Sequence, residues 1–223
     1  MELPIILINF KCYELGTGKN ALRLAKICEE VSKEYKANIT IAPQFIDLYL
    51  ISKEVNIPIF SQHIDPIEPG AFTGHVSPLT VKESGVVGTL INHSERKLGI
   101  EEIKKRVEIA KKYGLITVCC SGNIDESREI ARFNPDFIAY EPPELIGTGI
   151  PVSKTKPEVV TETVNEIKKI NPEIKVLCGA GITNGEDVKK AIELGTVGVL
   201  VASGVVKAPD PKSVLEDMVK SLL

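Results

Sequence analysis

No apolar run in the 223 residues approaches the ~18–20 needed to cross a bilayer, so a membrane-spanning helix is not expected. The opening segment MELPIILINF lacks a basic start and a small-residue cleavage site, so no signal peptide is expected. Lys and Arg number 27 against 30 Asp and Glu, with no basic block, which leaves a nucleic-acid partner without electrostatic support. Cys12, Cys28, Cys119, Cys120 and Cys178 contain no C-x-x-C pair, and their odd number and irregular spacing favour reduced thiols over a disulfide framework. His63, His75 and His93 are scattered without metal-ligand spacing, so no metal site is expected. What the chain does have is 43% hydrophobic and 26% charged residues, the composition of a globular protein with an ample core. A cytoplasmic protein is expected.

Two kinds of segment alternate. Short runs rich in β-branched residues occur at 4–10, 38–42, 57–62, 86–92, 115–120, 136–141, 174–178 and 197–202. Between them lie helical periodicities, such as Leu22, Ala25, Ile27 and Val31, or Ile103, Val107, Ala110 and Tyr113. Ser77-Pro78 and Asp210-Pro211 place an N-cap before proline at the first helical position. Asn123-x-x-Glu126 and Thr183-x-x-Glu186 read as capping boxes, and Gly85, Gly114 and Gly195 follow helical stretches as C-caps. Eight strand–helix units of roughly 28 residues, with near-continuous apolar strands, fit a parallel sheet covered on both faces. An open doubly wound sheet is the alternative. Eight repeats with no G-x-G-x-x-G after the first strand favour a closed (β/α)₈ barrel, and no linker divides it, so one domain over 1–223 is expected.

Barrels of this kind place their chemistry at the C-terminal ends of the strands. Here those ends carry Asn9 and Lys11, Gln62 and His63, His93 and Glu95, and Glu141. The last two strands run into Gly179-Ala180-Gly181 and Ala202-Ser203-Gly204, small-residue turns whose N–H groups could meet a phosphate. Each feature alone has a plainer reading: an exposed turn, a satisfied histidine, a solvated carboxylate, ordinary turn glycines. A lysine, a histidine and a carboxylate on one rim beside two such turns are harder to set aside. Residues 142–149, stiffened by Pro142-Pro143 and loosened by Gly147 and Gly149, read either as a lid or as a long rigid loop.

The segments Asn9-x-Lys11, Phe72-Thr73-Gly74-His75-Val76-Ser77-Pro78, Asn92-His93-Ser94-Glu95-Arg96, Ala139-Tyr140-Glu141-Pro142 and Ile146-Gly147-Thr148-Gly149 make the chain resemble the triosephosphate isomerase family over its whole length. The resemblance implies interconversion of dihydroxyacetone phosphate and D-glyceraldehyde 3-phosphate without metal or organic cofactor. It implies Glu141 as the base, neutral His93 polarising the carbonyl, and Lys11 stabilising the enediolate. It further implies that Asn9 orients substrate and Glu95 holds Lys11 or nearby backbone. Phosphate would be gripped near Ile146, Gly147, Gly181, Ala202 and Ser203, under a lid spanning 142–149. The loop containing 72–76 would reach into a neighbouring subunit. The chain departs from the family in the absence of a lid tryptophan, in a turn Gly179-Ala180-Gly181-Ile182 that lacks a serine common there, and in Ala202-Ser203 for a glycine pair. Its compact length resembles archaeal members, which implies a homotetramer, with a homodimer as the alternative. The rival readings are another sugar-phosphate barrel, which would not require Asn9, Lys11, His93 and Glu141 together, and a non-catalytic metabolite-binding barrel, which has no use for a base.

Overall fold

A computed structural model describes residues 2–142 and 150–222, the side chains of Val152 and Lys154 excepted. Eight strands run β1 (Ile5–Asn9), β2 (Asn38–Ala42), β3 (Phe60–Ser61), β4 (Gly88–Ile91), β5 (Ile116–Ser121), β6 (Phe137–Tyr140), β7 (Lys175–Cys178) and β8 (Gly198–Val201). After them come, in turn, α1 (Lys19–Tyr35), α2 (Leu48–Glu54), α3 (Pro78–Glu83), α4 (Ile100–Lys112), α5 (Ile124–Ala131), the pair α6 (Val152–Thr155) and α7 (Pro157–Ile170), α8 (Gly185–Glu193), and the pair α9 (Ser203–Val206) and α10 (Pro211–Lys220). The paired strands are parallel, in the order β2-β1-β8-β7-β6-β5-β4-β3. Ile41 N–H donates to the Pro58 carbonyl at 3.1 Å and Ile41 pairs with Ile59, which brings the two ends of that order together. The result is the (β/α)₈ barrel, not the open sheet.

The third strand is shorter than the 57–62 run suggests. Pro58 has no N–H to give a ladder, so the chain reaches regular pairing only at Phe60. Alternate strand residues face inward: Leu7, Phe60, Leu90, Val118, Phe137, Leu177 and Leu200 belong to one buried cluster inside the ring. The residues between them, such as Ile6, Ile8, Ile39, Ile41, Val199 and Val201, pack outward in a second cluster with the helices. That double burial is why these strands read as continuous apolar runs.

Helix termini follow local chemistry with one correction. Ser77 and Asp210 precede helices with proline in the first turn, Asn123 Oδ1 accepts from Glu126 N–H at 2.9 Å, and Gly85, Gly114 and Gly195 all have positive φ. On α8 the cap is Asn184, not Thr183: Asn184 Oδ1 accepts from Asp187 N–H at 3.0 Å, while Thr183 turns its own N–H and hydroxyl to the Asp187 carboxylate. On α1 the fully buried stripe is Ala21, Leu24, Ala25, Cys28 and Val31, with Leu22 and Ile27 at its margins. Among the described residues all five cysteines are free, four of them buried, and no helix is long and apolar enough to cross a membrane.

Candidate active site

Strand periodicity carries polar residues onto the rim of the apolar interior. Two residues beyond Leu7 stands Asn9, beyond Ala139 stands Glu141, beyond Leu177 stands Gly179 and beyond Leu200 stands Ala202. Asn9 is buried, and its Oδ1 accepts from Lys11 N–H at 2.9 Å. Lys11 itself has φ 49, a left-handed conformation that an L side chain adopts at some strain. Gln62 holds that turn from the other side, its Nε2 donating to the carbonyls of Lys11 and Ala42, both at 3.0 Å. The Lys11 ammonium reaches Glu95 Oε1 at 2.8 Å. The sequence reading noted Gln62 only as a strand end; its grip on Lys11 joins residues that meet only when the barrel closes.

His93 leaves β4 just before a short 3₁₀ turn, Ser94–Arg96. Its Nδ1 accepts from Glu95 N–H at 3.2 Å, so in this arrangement Nδ1 carries no proton and Nε2 carries one. The backbone N–H at the head of the turn thus makes Nδ1 the accepting nitrogen of the ring. His93 Nε2 lies 3.8 Å from Glu141 Oε2.

The Glu141 backbone N–H donates to the Ser121 carbonyl at 2.8 Å, extending the pairing of β6 with β5 by one residue. Its carboxyl group is buried, and Oε2 has no hydrogen-bond partner among the described residues. Burial pushes the Glu141 pKa above the usual carboxylate value, outweighing the opposing pull of His93, the Cys120 thiol and Lys11. Burial also drives the Cys120 pKa well up, so that group stays a thiol beside the carboxylate. Close approach by the carboxyl explains Gly179: a Cβ there would sit 2.9 Å from Glu141 Oε1 and 2.9 Å from the Leu200 carbonyl oxygen. The sequence reading did not single out Cys120 or Gly179 for a part beside Glu141.

Asn9, Lys11, His93 and Glu141 line one cleft, and Gly181, Ala202 and Ser203 line its other side. Glu95 stands just behind Lys11, largely exposed. Ile146 and Gly147, with the rest of the 142–149 segment after Pro142, lie outside the described residues. The arrangement holds a base with an uncommitted oxygen, an N–H donor facing it, a cation, and a turn pair without bulk. Such a set can move a proton between neighbouring carbons while stabilising negative charge on their oxygens.

Residues 4–222 match the family model described as triosephosphate isomerase. A curated protein of that name from Methanothermus fervidus is 53% identical over 222 residues, covering 100% of both chains. Those from Methanosarcina barkeri and Methanobacterium bryantii are 52% and 54% identical, each covering 99% of this chain and 99% and 98% of their own.

Proposed function

The chain belongs to the triosephosphate isomerase family, and from that premise we propose how its own residues divide the work of interconverting dihydroxyacetone phosphate and D-glyceraldehyde 3-phosphate, the family's step in glycolysis and gluconeogenesis. Glu141 Oε2 takes the proton from the carbon beside the carbonyl, and the C–H electron pair moves to form the enediolate. His93 Nε2–H donates to the oxygen that gains charge, and passes a proton between the two oxygens. Glu141 then returns its proton to the neighbouring carbon. Lys11 stabilises the charge that develops on the way, Asn9 orients the substrate, and Glu95 holds the Lys11 ammonium. The phosphate sits against Gly181, Ala202 and Ser203, while Ile146 and Gly147, which the family resemblance also assigns to it, lie outside the described residues; no step needs a metal or an organic cofactor.

One observation carries this assignment: a buried carboxylate oxygen with no hydrogen-bond partner among the described residues, 3.8 Å from a histidine nitrogen, in a cleft that also holds a lysine. A non-catalytic binding site for an anion gains nothing from such a group, which repels phosphate. Glu141→Gln keeps the shape and removes the base. It should lower kcat by at least ~10²-fold in a coupled assay run in EDTA, while the affinity for glycerol 3-phosphate is retained. Near-parental turnover in that variant would remove Glu141 from the role.

The same proposal extends to a cytoplasmic enzyme folded as one domain and assembled from copies of this chain, four in the compact archaeal pattern, two as the alternative. Beside the catalytic cleft a second cleft of about 410 Å³ is lined by Lys11, Cys12, Tyr13, Phe45, Gln62 and Arg96. Exposed Ile46, Tyr49 and Leu50 adjoin Phe45 in sequence, and Phe72 is exposed in the loop before α3. That loop is fastened at its base by Asp65, whose N–H donates to the Val76 carbonyl at 2.9 Å and whose Oδ2 accepts from Val76 N–H at 2.8 Å. A fixed base and an exposed aromatic tip suit insertion into the cleft of a second copy.

A further inference from the structure

Asn92 stands between β4 and His93, and no step of the reaction uses its side chain. Its φ is 62, a left-handed conformation that asparagine tolerates better than most residues with a side chain. The side chain is buried and fully engaged: Oδ1 accepts from Leu98 N–H at 2.9 Å, and Nδ2 donates to the Cys120 carbonyl and to Glu126 Oε1, both at 2.9 Å. The first bond closes 92–98 into a ring. The second ties that ring to the end of β5, the third to the first turn of α5. Glu126 also receives Gly122 N–H at 2.7 Å and Lys97 Nζ at 2.7 Å, so the far side of the ring is fastened to the same carboxylate. Inside the ring lie His93 and Glu95, joined by the N–H···Nδ1 bond that leaves the proton on Nε2.

We propose that Asn92 is a positioning residue for the proton transfers: by fastening 92–98 to β5 and α5 it holds the Glu95 N–H on His93 and so sets both the imidazole tautomer and the aim of Nε2. The proposal rests on the role given to His93 above. A purely structural asparagine would contribute stability and leave the tautomer alone. Misplacement of a reacting group by ~1 Å can lower a rate by ~10²-fold, so even a small loosening of this ring is measurable.

Asn92→Gly separates the two roles, because glycine adopts φ 62 freely and removes all three side-chain bonds. The expected result is a folded variant with kcat down by ~10-fold or more, affinity for glycerol 3-phosphate within about threefold of the parent, and a mixture of imidazole tautomers at His93 by ¹⁵N NMR. Parental kcat, or a fall in kcat with the His93 signature unchanged, overturns the proposal. Should Asn92→Gly fail to fold, Glu126→Ala takes its place. It removes the carboxylate that holds Asn92, Lys97 and the Gly122 N–H while leaving Asn92 with its bonds to Leu98 and Cys120, and is expected to lower kcat at least ~threefold with the same tautomer change; parental values of both overturn the proposal. His93→Ala, measured alongside, tells the failures apart. If it turns over like the parent, the role of His93 falls and this inference with it; if it is impaired while Asn92→Gly is not, only Asn92 loses its role.

Discussion

At Glu141 the fold holds a carboxylate where water cannot stabilise its charge, and the raised pKa records the strain of doing so. The folded state binds that proton more tightly than the unfolded chain does. Stability from this group is therefore lost as pH rises from the unfolded carboxylate value, about 4.3, through the raised folded value, and the penalty is constant above it. Glu141→Gln should accordingly melt at the same temperature as the parent or higher at pH 8, with the difference vanishing near pH 4, even as its activity collapses. The acid limb of kcat/KM in the parent should fall above the ordinary glutamate range. A limb at about 4.3, or a variant that melts lower at pH 8 than the parent, would mean that the carboxylate is better solvated than its burial indicates. Lys11 shows the same principle in the backbone, its left-handed turn kept in place by Asn9 and Gln62 rather than by its own preference.

Elements position these residues through their ends, and element ends are set by short-range chemistry. Asn184→Ala removes the N-cap of α8 at the far end of the loop that carries Gly181, and should destabilise the fold by about 1 kcal/mol in denaturant unfolding while leaving kcat near the parental value. A matching loss of activity would show that the cap also orders the turn after β7. The caps at Asn123 and Asp210, the C-cap glycines and the runs that became strands were legible because each depends on neighbours a few residues away. Thr183 was mistaken for the α8 cap because Thr183 with Glu186 and Asn184 with Asp187 offer the same pattern one residue apart; only the backbone path decides between them. Asn9, His93 and Glu141 were legible as rim residues because a period of two carries them beyond apolar interior positions or just past a strand. The Gln62 grip on Lys11, the Cys120 thiol against Glu141 and the left-handed turn at Asn92 were not, since each is imposed by contacts between separate strands. The seam between β2 and β3 was hidden for the related reason that Pro58 interrupts it.

For the molecule as a whole, one group of the apolar residues left outside the core, Phe45, Ile46, Tyr49 and Leu50, gathers on the segment after β2. Ile46 is 85% exposed and Tyr49 62%, on the segment that follows β2, next to the cleft that also holds Lys11. Exposure on that scale, contiguous with a groove, is what the proposed assembly would cover. On that proposal Ile46→Glu with Phe72→Asp should shift the mass measured by light scattering to that of one chain, and lower kcat if a neighbour's loop covers Lys11 and Glu95. A parental mass in the double variant would place the contact elsewhere.

The cleft gathers Asn9 from just past the start of the chain and Ser203 from close to its end, and Ile5 pairs with Gly198 across the same closure. The cleft is therefore whole only once β1 and β8, far apart in sequence, have paired, and a closure of that range is of the slow kind to form. Turnover would then report that β1 and β8 have met.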